Sequence, residues 1–269
     1  MTRKPPTAGR PPWALGVPAA IAACFLLIPL AGLLVRAPWT DMPRLLTTAA
    51  VLDALRLSLV SATCATVLSL IFGVPLAWVL ARARARGLTL LRALVTLPMV
   101  MPPVVGGIAL LLAFGREGLI GRWLDAWFGL TIPFTTTAVI LAETFVAMPF
   151  LIVSVEGALR SAGQELEEAA ATLGASRVRT ARLVTLPAVL PALVAGSVLC
   201  WARALGEFGA TITFAGNLPG KTQTMPLAAY LEMQRDPEAA VAVSLVLLAV
   251  SIIVLVGLRD RWWPSGATR

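Results

Sequence analysis

LSLVSATCATVLSLIFGVPLAWVL, residues 57–80, runs without a charged side chain between Arg56 and Arg82, and its reading decides the fold. A helix rises about 1.5 Å per residue and a hydrocarbon core is about 30 Å thick, so a run of this length crosses a bilayer. Three other windows are equally free of charge: residues 13–35, 93–114 and 239–258. Two more carry isolated charges, residues 134–155 with Glu143 and residues 189–214 with Arg203 and Glu207. The expectation is an all-α integral membrane protein with six transmembrane helices. Composition agrees, since 58% of the 269 residues are apolar and 13% charged, with a mean hydropathy of +0.85. That leaves too little polar surface for a soluble globule, and it excludes a disordered or collagen-like chain.

The net charge of +8 and pI near 10.9 raise the question of nucleic acid, and the positions of the charges answer it. With the N-terminus in the cytoplasm, fourteen of the 22 cations fall on the inner side, at positions 3–10, 82–92, 160–182 and 259–269. Seven fall outside, beside seven acids, and Arg203 lies within the membrane. This bias places both termini inside, so the basic pI is a topology signal and no nucleic-acid partner is implied. Seven of the eight tryptophans sit near span ends, where an indole suits the headgroup level, and Trp201 is the exception. The first span is too long for a cleaved signal peptide and lacks a small-residue cleavage site.

Chemistry is restricted by what is missing. The chain has no histidine, which removes His-liganded metal sites and every Ser-His or Cys-His nucleophile. Cys24, Cys64 and Cys200 lie in apolar runs without paired spacing and are expected to face lipid or core. No metal site or bound cofactor is expected on this chain.

The segment 156–187 is a long polar loop on the inner side, and such loops usually carry function. Residues 164–173 are rich in Glu, Ala and Leu, good helix formers, and Gly174 supplies a left-handed helix end. Ser176 is placed to cap a second helix from Arg177 into Leu186. LVTLP occurs twice, at 94–98 and 183–187, where each proline suits a first helical turn.

Glu168-Ala169-Ala170, three residues, Gly174, nine residues, then Val184-Thr185-Leu186-Pro187 resembles the EAA motif of ABC importer permeases, EAA-x3-G-x9-I-x-LP. Val184 alone departs from it, retaining a β-branched apolar side chain. The resemblance implies a type I importer permease fold in which this loop couples to a separate ATP-hydrolysing subunit. Two alanines let a helix approach a partner closely, and Gly174 permits the turn. Glu168 is the candidate polar anchor; Ala169, Ala170, Gly174, Leu186 and Pro187 supply shape. Glu165 and Glu167 read as solvated helix charges.

Ala215, four residues, then Gly220-Lys221-Thr222 fits a permissive phosphate-binding loop. It follows a membrane helix rather than a strand and falls on the outer side, so ATP must belong to another chain. Arg203 and Glu207, four apart on one helix face, and Glu143 are the membrane-embedded charges. They either line or gate a polar path or form a neutralised pair that fixes packing. Pro98, Pro102, Pro103, Gly106 and Gly107 must bend or interrupt the third span, as a cavity lining or, more simply, a packing kink.

Residues 203–211 (RALGEFGAT), 214–217 (FAGN) and 221–227 (KTQTMPL), with MPPVVGG at 101–107, are similar to oxyanion permeases, and GKTQTMPL is most like molybdate importers. Sulfate and thiosulfate permeases share chiefly the RALGEFG and AGN portions. Tungstate is chemically equivalent to molybdate at this level. The resemblance covers about residues 51–258, read as the permease domain after a tail of 1–12 and the first helix at 13–35, and before a tail of 259–269. It implies a homodimer of this chain, two ATP-binding cassette subunits and an extracytoplasmic oxyanion-binding protein, in a bacterial cytoplasmic membrane. An ion-coupled secondary transporter, a membrane enzyme and a membrane scaffold are the competing classes, and none explains the EAA loop.

Overall fold

A computed structural model describes residues 13–83, 85–163 and 165–257; the two tails, with Arg84 and Gln164, lie outside the described residues. The helices are α1 (Trp13–Val35), α2 (Met42–Leu46), α3 (Ala49–Arg82), α4 (Leu88–Val100), α5 (Pro103–Phe114), α6 (Gly121–Phe128) and α7 (Thr136–Ser161). They continue as α8 (Glu165–Thr172), α9 (Arg177–Thr180), α10 (Leu186–Leu205), α11 (Gly209–Phe214), α12 (Met225–Arg235) and α13 (Pro237–Gly257). A π-helical turn, Ala181–Thr185, joins α9 to α10. Among the described residues five helices are long and apolar enough to cross a membrane singly, and α4 with α5 makes a sixth crossing only as a pair.

That pair is bent by 117°. Pro102 forces the residue before it out of the α region, and Met101 lies at φ −68°, ψ 136°. Pro103 then opens α5, where its missing N–H leaves no helical partner unsatisfied. The break is the one expected from the Pro/Gly cluster. The two flanking helices show that the pair carries the chain across. Ser61 of α3 meets Glu143 of α7, Gly73 meets Ile152, and Arg82 meets Gly163. Contacts that advance together along both chains mean parallel helices, so the segment between them must return to the starting face.

α3, α7 and α10 form the core, with Ala62, Ala65, Ala77, Ala147, Leu151, Val155, Cys200 and Ala204 fully or nearly buried among them. Small residues let these backbones approach, which suits helices that gain little from apolar burial in lipid. A Cβ on Gly196 would stand 2.9 Å from that of Ser154, and Ser154 Oγ donates across the same gap to Ala192 O at 3.0 Å. α5 and α11 pack on the other half of α7 through Leu110, Ala138, Ala142, Ala210 and Phe214. α12 and α13 close against α3 through Ala54, Met225, Ala228 and Val243. α1 leans on α13 and is otherwise exposed. Cys24 is exposed, Cys64 half-buried and Cys200 buried, all free thiols. Trp201, the mid-span tryptophan, donates from Nε1 to Thr63 Oγ1 of α3 at 3.2 Å. Between the spans, α6 is pinned by Arg116 and Asp125 at 2.9 Å, and the guanidinium keeps that carboxyl below its ordinary pKa.

The structure corrects four expectations. α7 extends to Ser161, so the polar loop between helices begins at 162, not at 156. The second loop helix does not stop at Leu186 but runs through the π turn into α10, giving 29 residues from Arg177 to Leu205. Pro98 lies inside α4 rather than in its first turn. Pro187 is the second residue of α10, as expected for a first helical turn, directly after the π turn in which Leu186 N–H bonds Ala181 O. The fifth span ends at Leu205, and Gly206 to Phe208 interrupt it before α11, so Glu207 is not on the same helix as Arg203.

Candidate functional site: a polar hairpin and a buried charge cluster

α8, Gly174 and α9 form a hairpin on the face where α3 and α7 end. Gly174 takes φ +81°, the left-handed conformation expected for it. Ser176 Oγ accepts from Arg179 N at 3.4 Å, the expected cap. Of the motif residues, Glu168, Ala169, Gly174, Leu186 and Pro187 are exposed and Ala170 is half-buried. Leu173 is 87% exposed and Val178 62%, so among the described residues the hairpin tip presents largely uncovered apolar side chains.

The base of the hairpin is fastened. Glu167 accepts from Arg82 Nη2 at 2.8 Å and from Thr185 Oγ1 at 3.0 Å, so the expectation of a solvated charge fails for Glu167. Arg82 also donates to Gly163 O at 2.8 Å. A cleft of about 480 Å³ opens beside this contact, lined by Trp78, Arg82, Glu167, Glu168, Arg177 and Thr185 among others. Nearby, Glu156 on α7 accepts from Arg92 of α4 at 2.7 Å and meets Arg160 at 3.1 Å. Glu156 is 6% exposed and Arg92 also donates to Leu80 O at 3.1 Å, which locks α4 to α3 and α7. Arg82, Arg92, Glu156 and Thr185 were not singled out in the sequence; the Glu156/Arg160 spacing of four was their one local signal.

The second cluster lies deep in the helices. Arg203 Nη1 and Glu207 Oε2 are 2.6 Å apart, with side-chain exposures of 28% and 1%. The pair expected from the spacing forms, although the break after Leu205 rather than a continuous helix brings it together. Glu207 Oε1 also accepts from Ala210 N at 2.8 Å, which caps α11. Gly209, next to it, lies under Pro103, and Gly107 lies against Ala210 and Thr213. Pro103 and Gly107 of the third span therefore meet the Arg203–Glu207 break, while Gly106 faces Phe145 and Pro102 forms the exposed bend.

Glu143, 1% exposed, takes a hydrogen bond from Ser61 Oγ at 2.8 Å rather than one from Arg203. Ser58, one turn away, accepts from Met225 N at 2.7 Å and so ties α12 to α3. Glu143 Oε2, Thr211 Oγ1 and Thr224 Oγ1 are buried without a hydrogen-bond partner among the described residues. These elements supply a polar interior bounded by apolar helices, and buried polar groups of this kind in membrane segments mark pathways or packing determinants.

The segment 215–222 shows no phosphate cradle. It follows α11, and Thr222 is fully buried, its Oγ1 accepting from Leu218 N at 2.9 Å. A photoreactive ATP analogue added to the purified chain is expected to leave Lys221 unlabelled, as mass spectrometry of the digest would show; specific labelling there would reverse the assignment.

Among known proteins, the molybdenum transport system permease protein of Mycobacterium bovis is 51% identical over 257 residues, 96% of each chain. The sulfate transport system permease protein of Escherichia coli is 38% identical over 245 residues, 90% of this chain and 88% of that one. In three dimensions, the chain superimposes on a subunit of a bacterial ABC transporter that imports the acidic polysaccharide alginate. The TM-score is 0.72 at 17% identity, covering 92% of this chain and 93% of that one, so the two share a fold. Residues 73–263 match the family described as binding-protein-dependent transport system inner membrane components. With a multi-pass helical body and relatives at this identity along nearly the whole chain, the protein belongs to that family.

Proposed function

We propose that this chain is the membrane subunit of an ATP-driven importer for an oxyanion, molybdate or its chemical twin tungstate. It acts as a homodimer with two ATPase subunits and an extracytoplasmic binding protein, in a bacterial cytoplasmic membrane with the hairpin and both termini inside. The observation that carries the reading is the hairpin: fastened at its base to α3 and α10 and bare at its tip. A separate ATPase would seat α8 in a groove, with Glu168 as polar anchor and Ala169 and Ala170 allowing close approach. The chain itself binds no cofactor; ATP is used by the partner. Arg203, Glu207, Glu143 and the bend at Pro102, Pro103, Gly106 and Gly107 border the path or gate between the two copies, within surrounding lipid. Molybdate is favoured because the relative at 51% identity carries that name, and sulfate is the second reading, on the relative at 38%.

The test is ATP-dependent uptake of labelled molybdate into proteoliposomes holding the whole complex, with sulfate as competitor. Uptake is expected to require ATP, to resist excess sulfate, and to fall at least about tenfold in Glu168→Ala and Gly174→Pro while the complex still assembles. Proline cannot adopt the positive φ of Gly174, so that variant distorts the hairpin turn. Full competition by sulfate would move the cargo to sulfate; uptake that survives both substitutions would dismiss the coupling role of the hairpin.

A further inference from the structure

We infer that Glu167, rather than the exposed motif glutamate beside it, is the positioning residue that transmits movement of α8 to the membrane helices. The inference rests on the hairpin being the ATPase contact, as proposed above. One carboxylate oxygen, Oε1, accepts from Arg82 Nη2 at 2.8 Å and from Thr185 Oγ1 at 3.0 Å. Arg82 is the last residue of α3, and Thr185 is the last residue of the π turn that leads into α10. A single atom therefore joins α8 to two of the three helices that make the core.

The covalent joints of α8 could not do this alone. Gly163 before it and Gly174 after it both stand at positive φ, +69° and +81°, and glycine is the residue whose backbone turns there most freely. Between two such joints a short helix can pivot unless side chains brace it. The brace is partly shielded, with side-chain exposures of 13% for Arg82 and 25% for Glu167. Shielding strengthens a charge-assisted hydrogen bond relative to one in open solvent. Arg82 Nη2 also donates to Gly163 O, which fixes the first joint to the same guanidinium. The π turn at Thr185 is the compliant element, since its wider turn and the missing N–H of Pro187 loosen the start of α10. A push on α8 thus reaches α3 as a rigid unit and reaches α10 at its hinge. Among the described residues Glu168 makes no side-chain hydrogen bond or ion pair, and it is exposed where it lines the open cleft, on the side another subunit would approach.

The test uses the whole complex in proteoliposomes and reads molybdate uptake and ATP hydrolysis in the same vesicles. In Glu167→Ala, which removes the shared acceptor, the complex is expected to co-purify and hydrolyse ATP, while uptake per ATP falls at least about fivefold, the lower end of ordinary coupling between sites. Exchange of the two charges, Arg82→Glu with Glu167→Arg, is expected to raise uptake per ATP above that of either single variant. Thr185→Val, which removes only one donor to the same oxygen, is expected to lower the ratio less. A wild-type ratio in assembled Glu167→Ala overturns the inference, as does a double exchange no better than the singles. If Glu167→Ala fails to assemble, Thr185→Val decides, and a wild-type ratio there overturns it. Absence of ATP-driven uptake in the unsubstituted complex would overturn the functional reading and the inference together, whereas a defect confined to the variants separates the two.

Discussion

Arg203→Ala is expected to lower the melting temperature of the detergent-solubilised permease by several degrees and to reduce its level in the membrane. Glu207 is 1% exposed and its Oε2 lies 2.6 Å from the guanidinium, so the substitution strands a buried carboxylate. Removing one partner of a buried ion pair typically costs about 3–5 kcal/mol, well above the net worth of the intact pair. Combining Arg203→Met with Glu207→Gln removes the stranded charge and keeps an oxygen acceptor for the Ala210 N–H, which Glu207 Oε1 now serves. The double variant is therefore expected to melt closer to wild type than Arg203→Ala does. Its transport separates the two roles left open by the sequence. Restored stability without restored uptake assigns the pair to the translocation path; restoration of both assigns it to packing. An Arg203→Ala protein that melts within about a degree of wild type would mean that Glu207 finds no penalty in losing its partner.

Gly107→Val is expected to disrupt the seat of α5 on α11 and to abolish most uptake. A Cβ at position 107 would stand 2.6 Å from Thr213 Cβ, 2.8 Å from Ala210 O and 3.1 Å from Ala210 Cα. Two of these are backbone atoms of the segment that Glu207 caps, so they cannot swing away as a side-chain tip would. Overpacking of this kind typically costs about 1–3 kcal/mol where the neighbours can shift, and more where they cannot. Gly106→Ala is the control one residue away, where the added methyl meets Phe145 at 3.3 Å and the Met101 methyl at 3.4 Å, both mobile side-chain atoms. It is expected to retain substantial uptake and a near-normal melting curve. Equal defects at the two positions would contradict the packing shown by the structure.

The two glycines also show where sequence reasoning stops. Their clustering with Pro98, Pro102 and Pro103 announces a break, because proline withdraws an N–H and excludes its predecessor from helix wherever it occurs. Which glycine touches backbone and which touches side chain depends on α11, more than ninety residues away in the chain, and no local pattern encodes that contact. Glu167 teaches the same point from the other side. Three glutamates within four residues look alike in a helical repeat, and an exposed helix charge is the ordinary outcome. Only the arrival of Arg82 at the end of α3 distinguishes Glu167 from its neighbours.

Glu207 is the intermediate case. Its spacing from Arg203 correctly announces an ion pair, while the reason they meet, an interrupted helix at Gly206, comes from the way α11 turns to pack on α5 and α7.

The sequence by itself determined the membrane class, the spans other than the end of the fifth, the break in the third, the turn at Gly174 and the cap at Ser176. Each depends on length, hydrophobicity, charge or the backbone limits of single residues, and these act locally or against a uniform slab of lipid. Tertiary structure alone decided that α3 and α7 run parallel, that the bent pair between them crosses back, and that Glu143 binds Ser61. It also decided that the hairpin is braced through Glu167. These outcomes depend on which polar groups, remote in the chain, become neighbours once small-residue helix faces close together. A buried polar atom must then take the partner that packing delivers, whatever its nearest neighbours in sequence are.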